Sequence, residues 1–221
     1  MSEDPIIDRT RRYVRQQLAH DKTGHDWAHV ERVYNLAVHI AQTEPSADRM
    51  IVQLGALLHD IADWKFHDGD LTAGPRATRA WLESQKVDAA IVDQVAYIVE
   101  HISFRGGTNK HVMQTIEGKI VQDADRLDGI GAIGIARTFT FGGARGREMH
   151  NPTTKPQQHK SFADFKKATM EGGTTINHFY EKLLRIKDGI HTEAARKLAT
   201  QRHQFLEQFL QEFLQEWSGE R

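Results

Sequence analysis

The chain has 221 residues, of which 39% are hydrophobic and 27% are charged, a composition typical of a globular protein with one sizeable core. The 29 Lys and Arg residues nearly balance the 30 Asp and Glu residues, so no overall charge favours nucleic acid or an anionic membrane as a partner. Cys is absent, which excludes disulfides and thiolate metal sites. Any metal must then be bound by His, carboxylates, backbone oxygen or water.

The N-terminal segment shows no pattern of export or membrane insertion. Residues 1–18 are charged and lack the apolar core of a signal peptide. No stretch of the chain approaches the roughly 18 apolar residues that cross a bilayer. We therefore expect a cytoplasmic location, with neither a membrane nor a nucleic acid as partner.

Apolar residues recur at intervals of three and four along most of the chain, which predicts an all-α fold. Strict alternation with β-branched runs, the pattern of strands, is nearly missing. We predict one domain over residues 1–221, built from roughly eight helices. The clearest buried stripes lie on two early helices that a break at Pro45 and Ser46 separates: Val30, Val33, Ala37, Ile40 and Ala41 on the first, and Ile51, Leu54, Leu57, Leu58 and Ile61 on the second.

Two segments interrupt the helical pattern. Residues 103–110 form a polar stretch with a Gly pair, and residues 141–160 form a long stretch rich in Gly, Pro and basic side chains. A loop of this length inside a compact domain is usually functional or disordered.

Two long helices are predicted after this loop, over residues 162–187 and 192–217. The second could supply the interface of a homodimer. Its predicted buried face consists of Phe205, Phe209, Leu210, Phe213 and Leu214.

Residues with metal-binding chemistry fall at three places in this pattern. Asp26 is placed to cap a helix that has His29 in its first turn. His59 and Asp60 directly follow an apolar run, and Asp125 lies among apolar neighbours. Alone, His29 would be a surface or capping residue and Asp125 a solvated helix charge.

The three places favour a metal site when they are taken together. A charged pair beside apolar residues is costly unless it is paired or binds a metal. Helical bundles build metal sites from side chains on facing helices. Imidazole and carboxylate groups suit Mg²⁺, Mn²⁺, Fe²⁺, Ni²⁺ or Zn²⁺ when thiolate is absent.

In chain order, the three segments resemble the HD superfamily of metal-dependent phosphohydrolases, whose motif is His, then His–Asp, then Asp. The matching runs are HVERV (29–33), LLHD (57–60) and ADRL (124–127). The resemblance implies an HD-type helical bundle with one divalent metal ion, Mn²⁺ or Mg²⁺ first and Ni²⁺, Fe²⁺, Co²⁺ or Zn²⁺ as alternatives. The metal ligands that it implies are His29, His59, Asp60 and Asp125.

Longer runs resemble a small bacterial branch of this superfamily that includes nucleoside triphosphate pyrophosphohydrolases. The runs are GHDWAHVERV, LLHDIADWKF, DADRLDGIGAIGIARTF and HFYEKLL. This resemblance implies hydrolysis of a nucleoside triphosphate to a monophosphate and pyrophosphate, with water attacking the α-phosphorus. The alternatives are a nucleotidase, a phosphodiesterase, an alarmone hydrolase and a nucleotide-binding module without catalysis.

Asp63 is the candidate catalytic residue. It lies one helical turn after Asp60 on the same face, and could orient or deprotonate the attacking water. Relatives that hydrolyse guanosine tetraphosphate carry an acid at this spacing followed by a second acid, whereas Trp64 follows Asp63 here. A charge on the exit turn of the helix is the alternative interpretation of Asp63.

A triphosphate needs several cationic groups directed at its oxygens. The candidates for substrate binding are Lys65, His101, Arg126 and Arg145, with Arg147 and Lys160 as further basic residues of the loop. For the loop residues, a solvated surface position is the alternative. His25 and Asp26 are candidates for capping and orienting the segment of His29.

Residues 129–134, GIGAIG, match the G-x-G-x-x-G pattern of dinucleotide-binding proteins. That pattern needs a preceding strand, and here the run DADRLD precedes it. We predict that these glycines instead allow close packing of helices.

Overall fold

The computed structural model describes residues 4–19, 26–62, 70–103, 112–158, 161, 163–164, 167 and 172–220. In these residues every regular element is a helix and no strand occurs, which confirms the predicted all-α fold. The described part contains nine α-helices and one 3₁₀-helix, where the sequence predicts roughly eight helices. They are α1 (Pro5–Gln17), α2 (Trp27–Ala41), α3 (Arg49–Leu58), α4 (Ala73–Ser84), α5 (Ala89–His101), α6 (Ile116–Asp128), α7 (Gly131–Ala144), α8 (Thr175–Glu181), a 3₁₀-helix (Leu183–Gly189) and α9 (Glu193–Ser218).

The chain divides into two compact units. The first comprises Met1–Ser103 and His111–Asp125, and the second comprises Phe104–Lys110 and Arg126–Arg221. The boundary falls inside α6, so the last three residues of that helix belong to the second unit. The single domain expected for residues 1–221 stays a prediction.

Helix α3 lies at the centre of the first unit. Seven of its ten residues are buried, and it packs against α1, α2 and α5. Gly55 permits this close packing, since a Cβ there would meet Val121 at 3.3 Å and Ile98 at 3.4 Å. The stripes predicted for the first two helices are confirmed because all of their residues are buried, although α3 ends at Leu58, before Ile61.

The single long helix predicted over residues 162–187 is wrong in its described part. Residues 172–174 are not helical; Gly173 has a φ of 75°, and Thr174 caps α8 through its hydroxyl. Helix α8 stops at Lys182, where φ is −136° and ψ is −59°. The remaining residues continue as the 3₁₀-helix. Most of residues 162–171 lies outside the described residues.

The helix predicted over residues 192–217 is confirmed as α9, but its buried face differs. Phe205 is 48% exposed, whereas Leu206 beside it is fully buried. Packing against α7 and the 3₁₀-helix selects the face that carries Ala195, Ala199, His203, Leu206 and Leu210. Neither α9 nor any other described helix combines the length and apolar character of a membrane span.

Helix α7 extends four residues into the predicted loop and ends at Ala144. Its end is a Schellman motif, in which the amides of Gly146 and Arg147 donate to carbonyls of the last helical turn at 3.1 and 2.9 Å. Residues 145–158 contain no helix. The last two residues of the predicted loop, 159–160, lie outside the described residues.

Phe179 and Phe205 offer a matched test of the core of the second unit. Phe179 is fully buried and contacts the rings of Phe139 and Phe209, with centroid distances of 6.3 and 5.6 Å. We expect Phe179→Ala to lower the free energy of unfolding by about 3–5 kcal/mol, because it removes buried surface and leaves a cavity. Phe205→Ala removes the same side chain from an exposed position and should change stability by less than about 0.5 kcal/mol. Urea unfolding followed by circular dichroism measures both, and equal losses would contradict this packing.

Candidate metal centre

His29 is positioned by the start of α2. The carboxylate of Asp26 caps this helix by accepting the His29 backbone amide at 2.9 Å, which confirms the predicted cap. A cap of this kind stabilises a helix start by about 1 kcal/mol. It also restrains the backbone that carries the imidazole, which is 1% exposed.

His59 directly follows the last residue of α3. Its Nδ1 lies 2.8 Å from the carbonyl oxygen of Ala56. Because a carbonyl only accepts, Nδ1 carries the proton and donates it, and Nε2 keeps a lone pair. Metal-binding histidines have such an outer hydrogen bond as a rule, since it fixes the tautomer and the ring orientation.

Three residues of the implied ligand set, His29, His59 and Asp125, form one cluster in the first unit, with ligand atoms within 4.8 Å of one another, and Asp60 lies beside the two histidines. The Nε2 atoms of His29 and His59 face each other at 3.2 Å, with their ring planes at 76°. Oδ2 of Asp60 lies 3.4 and 3.7 Å from these two nitrogens. Oδ1 of Asp125 lies 3.5 and 3.8 Å from them.

This arrangement fits a divalent cation. Bonds of about 2.0–2.2 Å from imidazole nitrogen or carboxylate oxygen place neighbouring ligand atoms roughly 3.0–3.5 Å apart, close to the separations above. The Nε2 of His59 and the carboxylate oxygens are all acceptors, so a cation among them replaces repulsion between lone pairs with attraction. The nitrogen and oxygen donors suit Mn²⁺, Mg²⁺ and the other divalent metals expected from the sequence.

The cluster is open on its carboxylate side. The side chains of both histidines are 1% exposed, whereas those of Asp60 and Asp125 are 13% and 30% exposed. Water and a substrate oxygen can therefore approach beside Asp125. The neighbouring acid Asp128 is buried and forms an ion pair with Arg137 at 3.0 Å instead.

His101, a candidate for substrate binding, is half-buried at the end of α5. Its Nδ1 lies 2.9 Å from the carbonyl oxygen of Tyr97. The buried amide of Gln122 donates to the carbonyls of His101 and Ile102 at 3.3 and 3.1 Å. Because Gln122 precedes Asp125 by one turn of α6, these bonds connect the end of α5 to the helix that carries the ligand candidate Asp125.

The arginine candidates lie in the second unit. The guanidinium of Arg126 donates to the carbonyl of Gly189 and lies 3.4 Å from Nε2 of His191. Arg145 lies over the ring of Phe141 at 5.4 Å from its centroid, and Arg147 lies 5.5 Å from the same ring. Burial lowers the pKa of Arg147, while the carboxylate of Glu181 acts in the opposite direction. A role for Arg126 and Arg145 in binding substrate stays a prediction.

Several sequence candidates fall outside the described residues. They are the catalytic candidate Asp63, the substrate-binding candidates Lys65 and Lys160, and His25. Their roles stay predictions.

Sequence reasoning missed the groups that hold the ligands in place. The bond from His59 to Ala56 follows from a spacing of three residues at a helix end, and that spacing is visible in the sequence. Gln122 lies at the same spacing before Asp125. Arg202, which donates to the backbone at the end of α6, lies 75 residues from its partner, so no local pattern could reveal it.

The chain is similar to known proteins over nearly its whole length. A family model described as the HD domain matches residues 26–130. Bacillus subtilis YpgQ is 38% identical over 212 residues, which cover 93% of this chain and 91% of YpgQ. A structure of YpgQ in complex with ADP has a TM-score of 0.71 at 36% identity and covers 95% of this chain and 96% of that one.

Two further solved structures are similar. An HD-superfamily hydrolase from Bacillus thuringiensis is 39% identical, has a TM-score of 0.71 and covers 96% of this chain and 97% of that one. A protein from Lactobacillus plantarum is 34% identical, has a TM-score of 0.83 and covers 99% of this chain and 100% of that one.

The cluster predicts that both imidazoles are required for metal binding. We expect His29→Ala and His59→Ala each to weaken Mn²⁺ binding at least as much as outer-shell changes do, about 10–100-fold, because each removes a direct ligand. His39→Ala is the matched control, since His39 is exposed on the same helix as His29. Calorimetric titration with Mn²⁺ measures the affinity, and circular dichroism checks folding. Undiminished affinity in both ligand variants would rule out this site.

Proposed function

The chain belongs to the HD-domain family, and we propose that it is a metal-dependent phosphohydrolase that cleaves nucleoside triphosphates into a monophosphate and pyrophosphate. The observation that carries this proposal is the pair of buried imidazole nitrogens 3.2 Å apart, flanked by two carboxylates. The similar Bacillus thuringiensis protein is an HD-superfamily hydrolase, which supports hydrolysis as the class of reaction.

One divalent cation would be held by His29, His59, Asp60 and Asp125. When bound, such a cation supplies Lewis acidity toward a phosphate oxygen and makes coordinated water more acidic. The protein keeps Nε2 of His59 available through the bond to Ala56, and keeps His29 in place through the cap at Asp26. The carboxylates supply negative charge that favours a cation over a proton at this point.

Asp63 is proposed to orient the attacking water and to accept its proton. Asp63 follows Asp60 by three residues in the sequence, and residues 59–62 form a turn rather than the helix expected there, so the proposal rests on this spacing alone. A carboxylate in this role contributes about 10²–10⁴-fold to the rate. Attack at the α-phosphorus would release pyrophosphate as the leaving group.

A nucleotide is proposed as the substrate because the similar protein YpgQ has been solved in complex with ADP. His101 has the clearest structural link to the metal centre, through Gln122 on α6. The full set of proposed phosphate contacts is Lys65, His101, Arg126 and Arg145.

The proposal is tested by assaying the Mn²⁺-loaded and Mg²⁺-loaded protein against a panel of phosphate compounds. The panel contains ribo- and deoxyribonucleoside triphosphates, nucleoside monophosphates, cyclic and linear phosphodiesters, and guanosine tetraphosphate. Pyrophosphate and inorganic phosphate are quantified separately. We expect equal amounts of monophosphate and pyrophosphate from triphosphates, with activity abolished by chelation and by His59→Ala but retained by His39→Ala.

Other outcomes would replace the proposed reaction. Inorganic phosphate released only from monophosphates would indicate a nucleotidase. Turnover restricted to diesters or to guanosine tetraphosphate would indicate a phosphodiesterase or an alarmone hydrolase. Nucleotide binding without turnover under any metal would indicate a binding module.

A separate prediction concerns Asp63. We expect Asp63→Asn to lower kcat by about 10²–10⁴-fold, because the amide cannot accept the proton of the attacking water. The Mn²⁺ affinity should stay unchanged, since Asp63 is not among the proposed metal ligands. Asp93→Asn is the control, as Asp93 is an exposed carboxylate paired with Arg79. A kcat within a factor of about two of the unaltered protein would remove Asp63 from the chemistry.

A further inference from the structure

We propose that Arg202, Asp128 and Arg137 form a brace that fixes the last turn of α6 and thereby positions the metal ligand Asp125. These three are positioning residues, since none of them belongs to the ligand cluster. The inference rests on the metal centre of the proposed function. It adds a set of side chains in the second unit on which the geometry of that centre depends.

Arg202 reaches the end of α6 from α9. Its Nη1 donates to the carbonyl oxygen of Leu127 at 2.5 Å. That carbonyl is one of the last four in the helix, which have no intrahelical amide four residues further on. Leu127 lies two residues after Asp125, on the same turn. The bond therefore restrains the backbone that carries the metal ligand.

Asp128 ties a second arginine to this turn. Its carboxylate accepts from Nη1 of Arg137 at 3.0 Å, and the two side chains are only 2% and 19% exposed. Burial lowers the pKa of Arg202, and the charge of Asp128 acts in the opposite direction. The buried carboxylate thus pairs with Arg137 and also favours the charged form of Arg202.

The cost of burying these charges indicates what they are for. Taking charged groups out of water is unfavourable, so a buried ion pair adds little net stability compared with apolar residues of similar size. Its value is geometric, because directed hydrogen bonds allow one arrangement of the chain where apolar packing allows several. Here the arrangement that is specified is the end of the helix that carries Asp125.

The glycine run 129–134 leaves room for the brace. A Cβ on Gly131 would lie 3.0 and 3.1 Å from the Cγ and Cβ atoms of Arg202, and Gly131 has a φ of 74°. A Cβ on Gly134 would lie 2.3 Å from the carbonyl oxygen of Gly129. The pattern that matches a dinucleotide-binding motif therefore serves to close the turn after α6 and to admit the stem of Arg202.

Mn²⁺ binding to the full chain, measured by calorimetry without nucleotide, tests the brace. We expect Arg202→Gln and Asp128→Asn each to raise the dissociation constant for Mn²⁺ by about 10-fold or more, the lower range for loss of an outer-shell partner. Arg196→Gln is the matched control, because Arg196 lies on the same helix with a side chain that is 57% exposed. Arg202→Lys should give an intermediate value, since an ammonium group can still donate to the carbonyl of Leu127.

Folding is controlled by working well below the midpoint of thermal unfolding of every variant. If Arg202→Gln does not fold, Asp128→Asn is the decisive variant, because the amide keeps the size of the carboxylate but removes the charge that faces Arg137 and Arg202. Unchanged Mn²⁺ affinity in the folded variants, with or without a lower Tm, would overturn the brace and leave the metal centre intact. Absence of Mn²⁺ binding in the unaltered protein would overturn both.

Discussion

The approach of the His29 and His59 Nε2 atoms to 3.2 Å is the constraint on which the rest of the site depends. Two lone pairs cannot be directed at the same point unless a proton or a cation lies there. The hydrogen bond from Nδ1 of His59 to the Ala56 carbonyl fixes the tautomer of that ring. The carboxylates of Asp60 and Asp125 add negative charge beside these two nitrogens. This charge favours a divalent cation over a single positive charge.

The ends of helices supply both the ligands and their support. His29 lies in the first turn of α2, His59 follows α3, and Asp125 lies near the end of α6. Helix ends have backbone groups without intrahelical partners, and these groups are used here by Asp26, by the ring of His59 and by Arg202. The side chains that satisfy the helix ends therefore also orient the ligands.

Much of the fold, and the cluster of His29, His59 and Asp125, could be predicted from sequence for a physical reason. Helical periodicity is a local pattern of the sequence. So is each of the three motifs that contain His29, His59 with Asp60, and Asp125. A local pattern predicts the structure well when its residues face the core. The break near Gly173 was missed although the glycine pair 172–173 is visible in the sequence, and Gly173 adopts a positive φ that a regular helix does not contain. The exposure of Phe205 was missed because packing on α7 chose between two apolar stripes of α9. The partner of Arg202 could not be found, since its contact joins residues far apart in the chain.

The boundary between the two compact units falls inside α6, which bears on how segments can be exchanged among relatives of this family. A chimera joined at residue 125 would unite a ligand from one parent with a helix end shaped by the arginines of the other. Joining two parents at residues 112–115, which precede α6 and contain no helix, would keep that ligand with its own arginines. We therefore expect relatives in this family to keep the stretch from Asp125 to Gly131 and Arg202 unchanged together.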